Sequence, residues 1–143
     1  MKKYLVFSAI LFLLSSTAFA QNDKQEIERA ILNYVEAFYE ADTMKAYLSI
    51  APDLAKKGYY THNGQVIEAK MNFEQFIRLS QRWKQTQNIT PDSPKKITVF
   101  DVLDKIASAK VEAKWGIDYF HLAKVNGKWI IMNVLWQEYP KAN

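Results

Sequence analysis

One carboxylate, Asp118, lies inside an aromatic and aliphatic run, "WGIDYFHLAKVNGKWIIMNVLW" (115–136). Strand alternation puts Asp118 on the same face as Phe120 and Leu122. A carboxyl on an apolar face is costly unless neutralised or hydrogen-bonded, and either remedy moves its pKa. Such a group can hold the polar edge of a ligand or act as an acid; the plainer alternative is a carboxylate that caps a turn at Gly116 in solvent. Tyr34, in "LNYVEAFYEAD", shares a helical stripe with Ile27, Ile31 and Phe38. Its hydroxyl needs a buried partner, and Asp118 would serve, although an ordinary core tyrosine fits the same stripe. The tryptophans at 83, 115, 129 and 136 offer flat surfaces for a heteroaromatic ring. Aromatic residues at strand and helix spacing more often build a core or a dimer interface. Trp115 and Trp136 are the candidates for lining a pocket, with Phe38 and Phe120 as its walls.

Other chemistries find no support. His121 falls on the face opposite Asp118 and His62 in a tight turn, neither with a second ligand at metal-binding spacing. There is no cysteine, no Gly-x-Ser-x-Gly elbow and no glycine-rich phosphate loop, the glycines being scattered at 58, 64, 116 and 127. No metal or cofactor is therefore expected. The pairs Lys56-Lys57 and Lys95-Lys96 read as solvated surface.

The elements that position these residues follow an export signal. "MKKYLVFSAILFLLSSTAFA" has two lysines, an apolar stretch too short to span a bilayer, and a small-x-small pattern that predicts cleavage after Ala20. No membrane anchor is expected after cleavage, and the product is periplasmic or secreted. Losing Lys2 and Lys3 from 19 basic residues leaves 17 against 15 acids, a net +2, which with export argues against nucleic acid. Residues 21–143 suit a single domain with one core, without disulfides.

Asp23 with Glu26 makes a capping box for a helix over Lys24 to Ala41. A shorter helix capped by Asp42 or Thr43, with Met44, Tyr47 and Leu48 inward, ends at Ala51-Pro52-Asp53. Two short extended pieces surround His62-Asn63-Gly64. Asn72 then caps a third helix that buries Phe73, Phe76, Ile77 and Trp83, and "QTQNITPDSPKK" is a loop. Period-two segments follow over Ile97 to Leu103, Ile106 to Trp115, Ile117 to Val125 and Trp129 to Glu138. The last is apolar on both faces, which predicts cover on both. Helices followed by an antiparallel meander predict an α+β fold: a cone-shaped curved antiparallel sheet wrapped around the N-terminal helices, with a cavity between helix and sheet.

The order of elements resembles the nuclear transport factor 2-like fold, a cystatin-like roll. "APDLAKKGYY" and "DYFHLAKVNGKWIIMNVLWQ" resemble the lumazine-binding branch close to the polyketide-cyclase-like proteins. Members of that branch commonly carry His-Pro-Asp-Leu where this chain has Ala51-Pro52-Asp53-Leu54. The chain also has a distant similarity to ketosteroid isomerase on the same fold, in which Tyr34 and Asp118 match the tyrosine and protonated aspartate of the oxyanion hole. The general-base aspartate of that enzyme falls near Lys57-Gly58, where this chain has no carboxylate.

These readings predict an exported binder of a small apolar or heteroaromatic molecule, held by Tyr34 and Asp118 between aromatic walls and not turned over. Two alternatives remain at this level. One is an isomerase or cyclase with Asp118 or Tyr34 as acid; the other is an interaction module with a filled cone. Dimerisation through the sheet is expected of the binder, and in the interaction module the outer sheet face, with Tyr119 and His121, meets another protein.

Overall fold

The computed structural model describes the backbone of residues 2–140 and the side chains of residues 21–140. The side chains of the expected export signal lie outside the described ones. Helix α1 (Lys2–Glu40) runs without a break through the expected start at Lys24, because no proline or glycine interrupts "STAFAQNDKQ". Asp23 is therefore no cap. Its carboxylate instead accepts hydrogen bonds from Lys124 Nζ and from Trp129 Nε1 at 3.0 Å, tying the helix to the far end of the chain. The stripe Ile27, Ile31, Tyr34, Val35 and Phe38 is buried along its inner side.

Ala41, at φ 59°, ends α1 in the left-handed region. Asp42 then caps helix α2 (Thr43–Ser49) by accepting from Met44 N at 3.1 Å. The inward face of α2 is not the expected one: Met44, Tyr47 and Leu48 are exposed, and Ala46 and Ser49 are buried. Ion pairs of Lys45 with Glu36 and Glu40 hold α2 along α1, so the small residues make the close approach.

Strand β1 (Ile50–His62) follows at once and turns at Asn63-Gly64, φ 49° and 77°, into β2 (Gln65–Met71). Pro52, which lacks a donor, sits in the register break between Ile50 and Ala55. Helix α3 (Phe73–Thr86) opens with a complete capping box between Asn72 and Gln75. Phe76 is fully buried, and Phe73, Ile77 and Trp83 are partly so. The meander comprises β3 (Lys95–Val102), β4 (Ile106–Ala113), β5 (Gly116–Val125) and β6 (Lys128–Gln137).

The six strands form one sheet in the order β2-β1-β6-β5-β4-β3. Every pairing is antiparallel except β1 with β6, which is parallel, so the sheet is mixed and not purely antiparallel. Its inner face packs on α1 through Ala109, Val111, Phe120, Leu122, Ile131 and Val134. The outer face of β6 lacks the expected cover within the chain: Leu135 is 52% exposed, and Ile130 and Met132 are half-buried. Among the described residues, no helix is long and apolar enough to cross a membrane.

Candidate functional site

Strand registers place Gly58 opposite Trp136, and Trp136 opposite Asp118. All three lie in one row across β1, β6 and β5. A Cβ built on Gly58 would stand 1.7 Å from Trp136 Nε1, so the missing side chain is what admits the indole over β1. One step along β1, Lys56 shares the inner face with Leu54 and Gly58. Only 5% of Lys56 is exposed, which corrects the reading of Lys56-Lys57 as surface; Lys57 alone is exposed. Lys95 and Lys96 are both exposed, as read.

Lys56 Nζ donates a short hydrogen bond to the Tyr34 hydroxyl and lies 3.6 Å from Asp118 Oδ1, too far for a hydrogen bond. Four rings surround the ammonium: Tyr34, Phe38, Trp115 and Trp136, with Nζ 5.0, 5.9, 5.8 and 5.7 Å from their centroids. Trp115 occupies the β4–β5 turn, and its Nε1 donates to Asp118 Oδ2 at 2.8 Å. Tyr39 secures that turn, accepting from Lys114 N at 2.8 Å and donating to Pro94 O at 2.7 Å. Asp118 Oδ1 is buried and accepts no hydrogen bond.

Burial governs the electrostatics of the group. It pushes the Asp118 carboxyl above its ordinary value against the opposing pull of Lys56, and it pulls the Lys56 ammonium below its own despite Asp118. Burial and the neighbouring Asp118 charge raise the Tyr34 hydroxyl well above its usual range. Each of the three is thus displaced toward its uncharged form, which suits hydrogen bonding and proton exchange in a dry site.

In front of Lys56 lies a half-open cavity of about 120 Å³, lined by Phe38, Lys56, Met71, Leu79, Trp83, Trp115 and Trp136. This is below the roughly 300–1,000 Å³ of a pocket that encloses a drug-sized ligand, so it suits one edge of a small molecule. Phe38, Trp115 and Trp136 therefore line a cavity. Tyr34, Asp118 and Phe120 lie fully buried within the core, and Tyr34 and Asp118 reach the cavity through Lys56. Sequence reasoning missed Lys56, Met71, Leu79 and, as a lining residue, Trp83. For Lys56 a signal existed: two successive lysines on a strand with one buried face cannot both point to solvent.

His121 is on the outer face, its Nδ1 3.0 Å from Asn133 Oδ1. Among the described residues, no group of three or more His, Cys, Asp or Glu is placed to hold a metal ion.

Comparison with solved structures places the architecture. A nuclear transport factor 2-like protein of unknown function from Shewanella baltica superposes with a TM-score of 0.65 at 16% identity, covering 84% of this chain and 96% of that one. One from Methylobacillus flagellatus gives 0.62 at 21% identity, covering 83% and 94%. One with a cystatin-like fold from Novosphingobium aromaticivorans gives 0.62 at 14% identity, covering 90% of each. These likenesses establish the fold alone. No curated protein matches the chain. At the level of sequence, the profile of one family matches residues 22–137, most of the chain and up to the end of β6. The chain belongs to the family described as "Putative lumazine-binding".

Proposed function

We propose that the chain is an exported protein that binds the edge of a small planar heteroaromatic molecule in the cavity before Lys56. The observation that carries this reading is the cavity itself: aromatic and aliphatic walls from α1, α3, the β4–β5 turn and β6 surround one cationic donor, with Tyr34 and Asp118 behind it. The indoles of Trp115, Trp136 and Trp83 supply flat apolar surface, and Lys56 supplies a charged hydrogen bond for a ring carbonyl. Matched donors of this kind fix orientation, while the walls supply most of the affinity. The family description agrees with a pteridine-like ligand.

Titration of the purified chain with lumazine, followed by tryptophan fluorescence, tests the reading. Saturable quenching that weakens in Trp136→Ala and Lys56→Met is the expected result. Quenching that is linear in lumazine and unaltered by either substitution would remove it.

A homodimer through the outer sheet face is part of the same proposal. Phe100, Tyr119 and Leu135 are half exposed there, and Phe100 stacks on Tyr119 with centroids 5.8 Å apart, forming an apolar patch that one chain leaves open.

A further inference from the structure

We propose that Lys56 is a covalent capture site, forming an imine with a small ketone or aldehyde that enters the aromatic cavity. The inference rests on the ligand-pocket reading above and names a class of ligand for it. Among the residues that line the cavity, Lys56 alone carries an amine; the rest are aromatic rings, a leucine and a thioether. Its nitrogen is committed to one hydrogen bond, with the Tyr34 hydroxyl, and to a 3.6 Å approach of Asp118 that is no hydrogen bond. A fully buried carboxylate oxygen with no hydrogen-bond partner thus stands 3.6 Å from the amine of a residue that lines the cavity. Burial drives the ammonium toward the free base, the form that attacks carbonyl carbon.

The step balances without any co-reactant. The nitrogen lone pair adds to the carbonyl carbon, and the C=O π bond breaks to give a carbinolamine. The nitrogen releases its two protons in turn toward Asp118 Oδ1, and each returns to the oxygen by way of the Tyr34 hydroxyl. The first completes the carbinolamine and the second lets the C–O bond break, so that one water leaves, the neutral imine remains, and Tyr34 and Asp118 end in the protonation states in which they began. The apolar walls favour this loss of water. Nothing is oxidised or reduced.

Pentane-2,4-dione is the probe, because its imine rearranges to a conjugated enaminone that absorbs in the near ultraviolet and needs no reductant. The full purified chain is incubated with it, and the product is read by absorbance, intact mass and peptide mapping. The expected result is one adduct per chain, with the mass of the probe less one water, at Lys56. Burial raises the free-amine fraction of Lys56 at neutral pH, so Lys56 should label faster than the exposed lysines. Lys56→Arg, which keeps the charge, should abolish the near-ultraviolet band.

Mapping the unsubstituted chain keeps the test valid even if that variant misfolds. Labelling confined to exposed sites such as Lys57, Lys95 and Lys96, or no adduct at all, overturns the proposal. Lumazine quenching measured in parallel separates the two readings. Quenching without a Lys56 adduct removes the imine and leaves the pocket. An adduct without quenching supports the imine and removes lumazine as the ligand.

Discussion

Replacing Lys56 by methionine keeps most of the side-chain volume and deletes the charge. At 3.6 Å, an ammonium and a carboxylate attract by about 5 kcal/mol if the effective dielectric is ~20. The cost of drying both ions is of similar size, several kcal/mol each, so the intact pair adds little net stability. Removing one member is a different matter, since Asp118 stays fully buried with Trp115 Nε1 as its remaining hydrogen-bond donor. Lys56→Met should therefore cost about 3 kcal/mol at neutral pH, and Asp118→Asn about 2 kcal/mol, because a buried lysine can shed its proton. The double variant should lie within about 1 kcal/mol of the parent, so the two losses fail to add by several kcal/mol.

The sign of the pH effect follows from the direction of the Asp118 shift. Its folded pKa is raised above the ordinary 3.8 by burial, and losing Lys56 raises it further. A raised carboxyl is favourable to the fold below the unfolded value, and that contribution is lost as pH rises through the folded value. The Lys56→Met deficit should consequently shrink on acidification from neutral pH. Urea unfolding followed by tryptophan fluorescence at two pH values, on all four chains, measures the cycle. Additivity within about 0.5 kcal/mol, or a deficit that grows on acidification, would refute the buried-pair argument.

Gly58→Ala brings a Cβ to 1.7 Å from Trp136 Nε1, so thermal unfolding should show a loss of about 1–3 kcal/mol and lumazine quenching should weaken as the indole is displaced. Tyr34, raised by burial, stabilises the fold below the ordinary tyrosine value of 10.0, and the benefit disappears as pH climbs through its folded value; alkaline absorbance titration should show Tyr34 ionising only with unfolding, a step absent in Tyr34→Phe. Asp23 is held below 3.8 chiefly by its hydrogen bond from Lys124, so its contribution is present above 3.8 and lost as pH falls through the lower folded value; Asp23→Ala should cost about 1 kcal/mol at neutral pH and less in acid, as read by urea midpoints. Leu135→Lys on the outer face should turn a dimer into a monomer in sedimentation velocity without changing the far-ultraviolet spectrum, and an unchanged dimer would move the interface elsewhere.

Legibility differed from element to element for identifiable reasons. Asp118, Phe120 and Leu122 were readable as one face because strand alternation is strict wherever no bulge intervenes, and the register shift of the β5–β6 pair puts its extra residue, Met132, in β6 and leaves β5 regular. The two Asn-Gly turns were readable because φ is positive at Asn63, Gly64, Asn126 and Gly127, a demand few residue types meet. The inward face of α2 was misread because three large apolar residues outweigh two small ones in any pattern. Close approach to α1 nevertheless selects Ala46 and Ser49. The capping box at Asp23 was misread because the same side chain has better partners in Lys124 and Trp129, about a hundred residues away.

Local patterns in the sequence, then, determined the α+β class, the strands of the meander, the hairpin turns and the burial of Tyr34, since each depends on period, turn chemistry or capping within a few residues. Asp118 kept two readings, apolar face or solvent-exposed turn cap, until the tertiary structure buried it. The parallel pairing of β1 with β6 joins segments separated by a helix and four strands, and no local rule specifies it. That pairing alone brings Gly58 under Trp136 and Lys56 to Tyr34 and Asp118. Only the tertiary structure could therefore turn a lysine in an unremarkable Lys-Lys pair into the one amine among the residues lining the aromatic cavity.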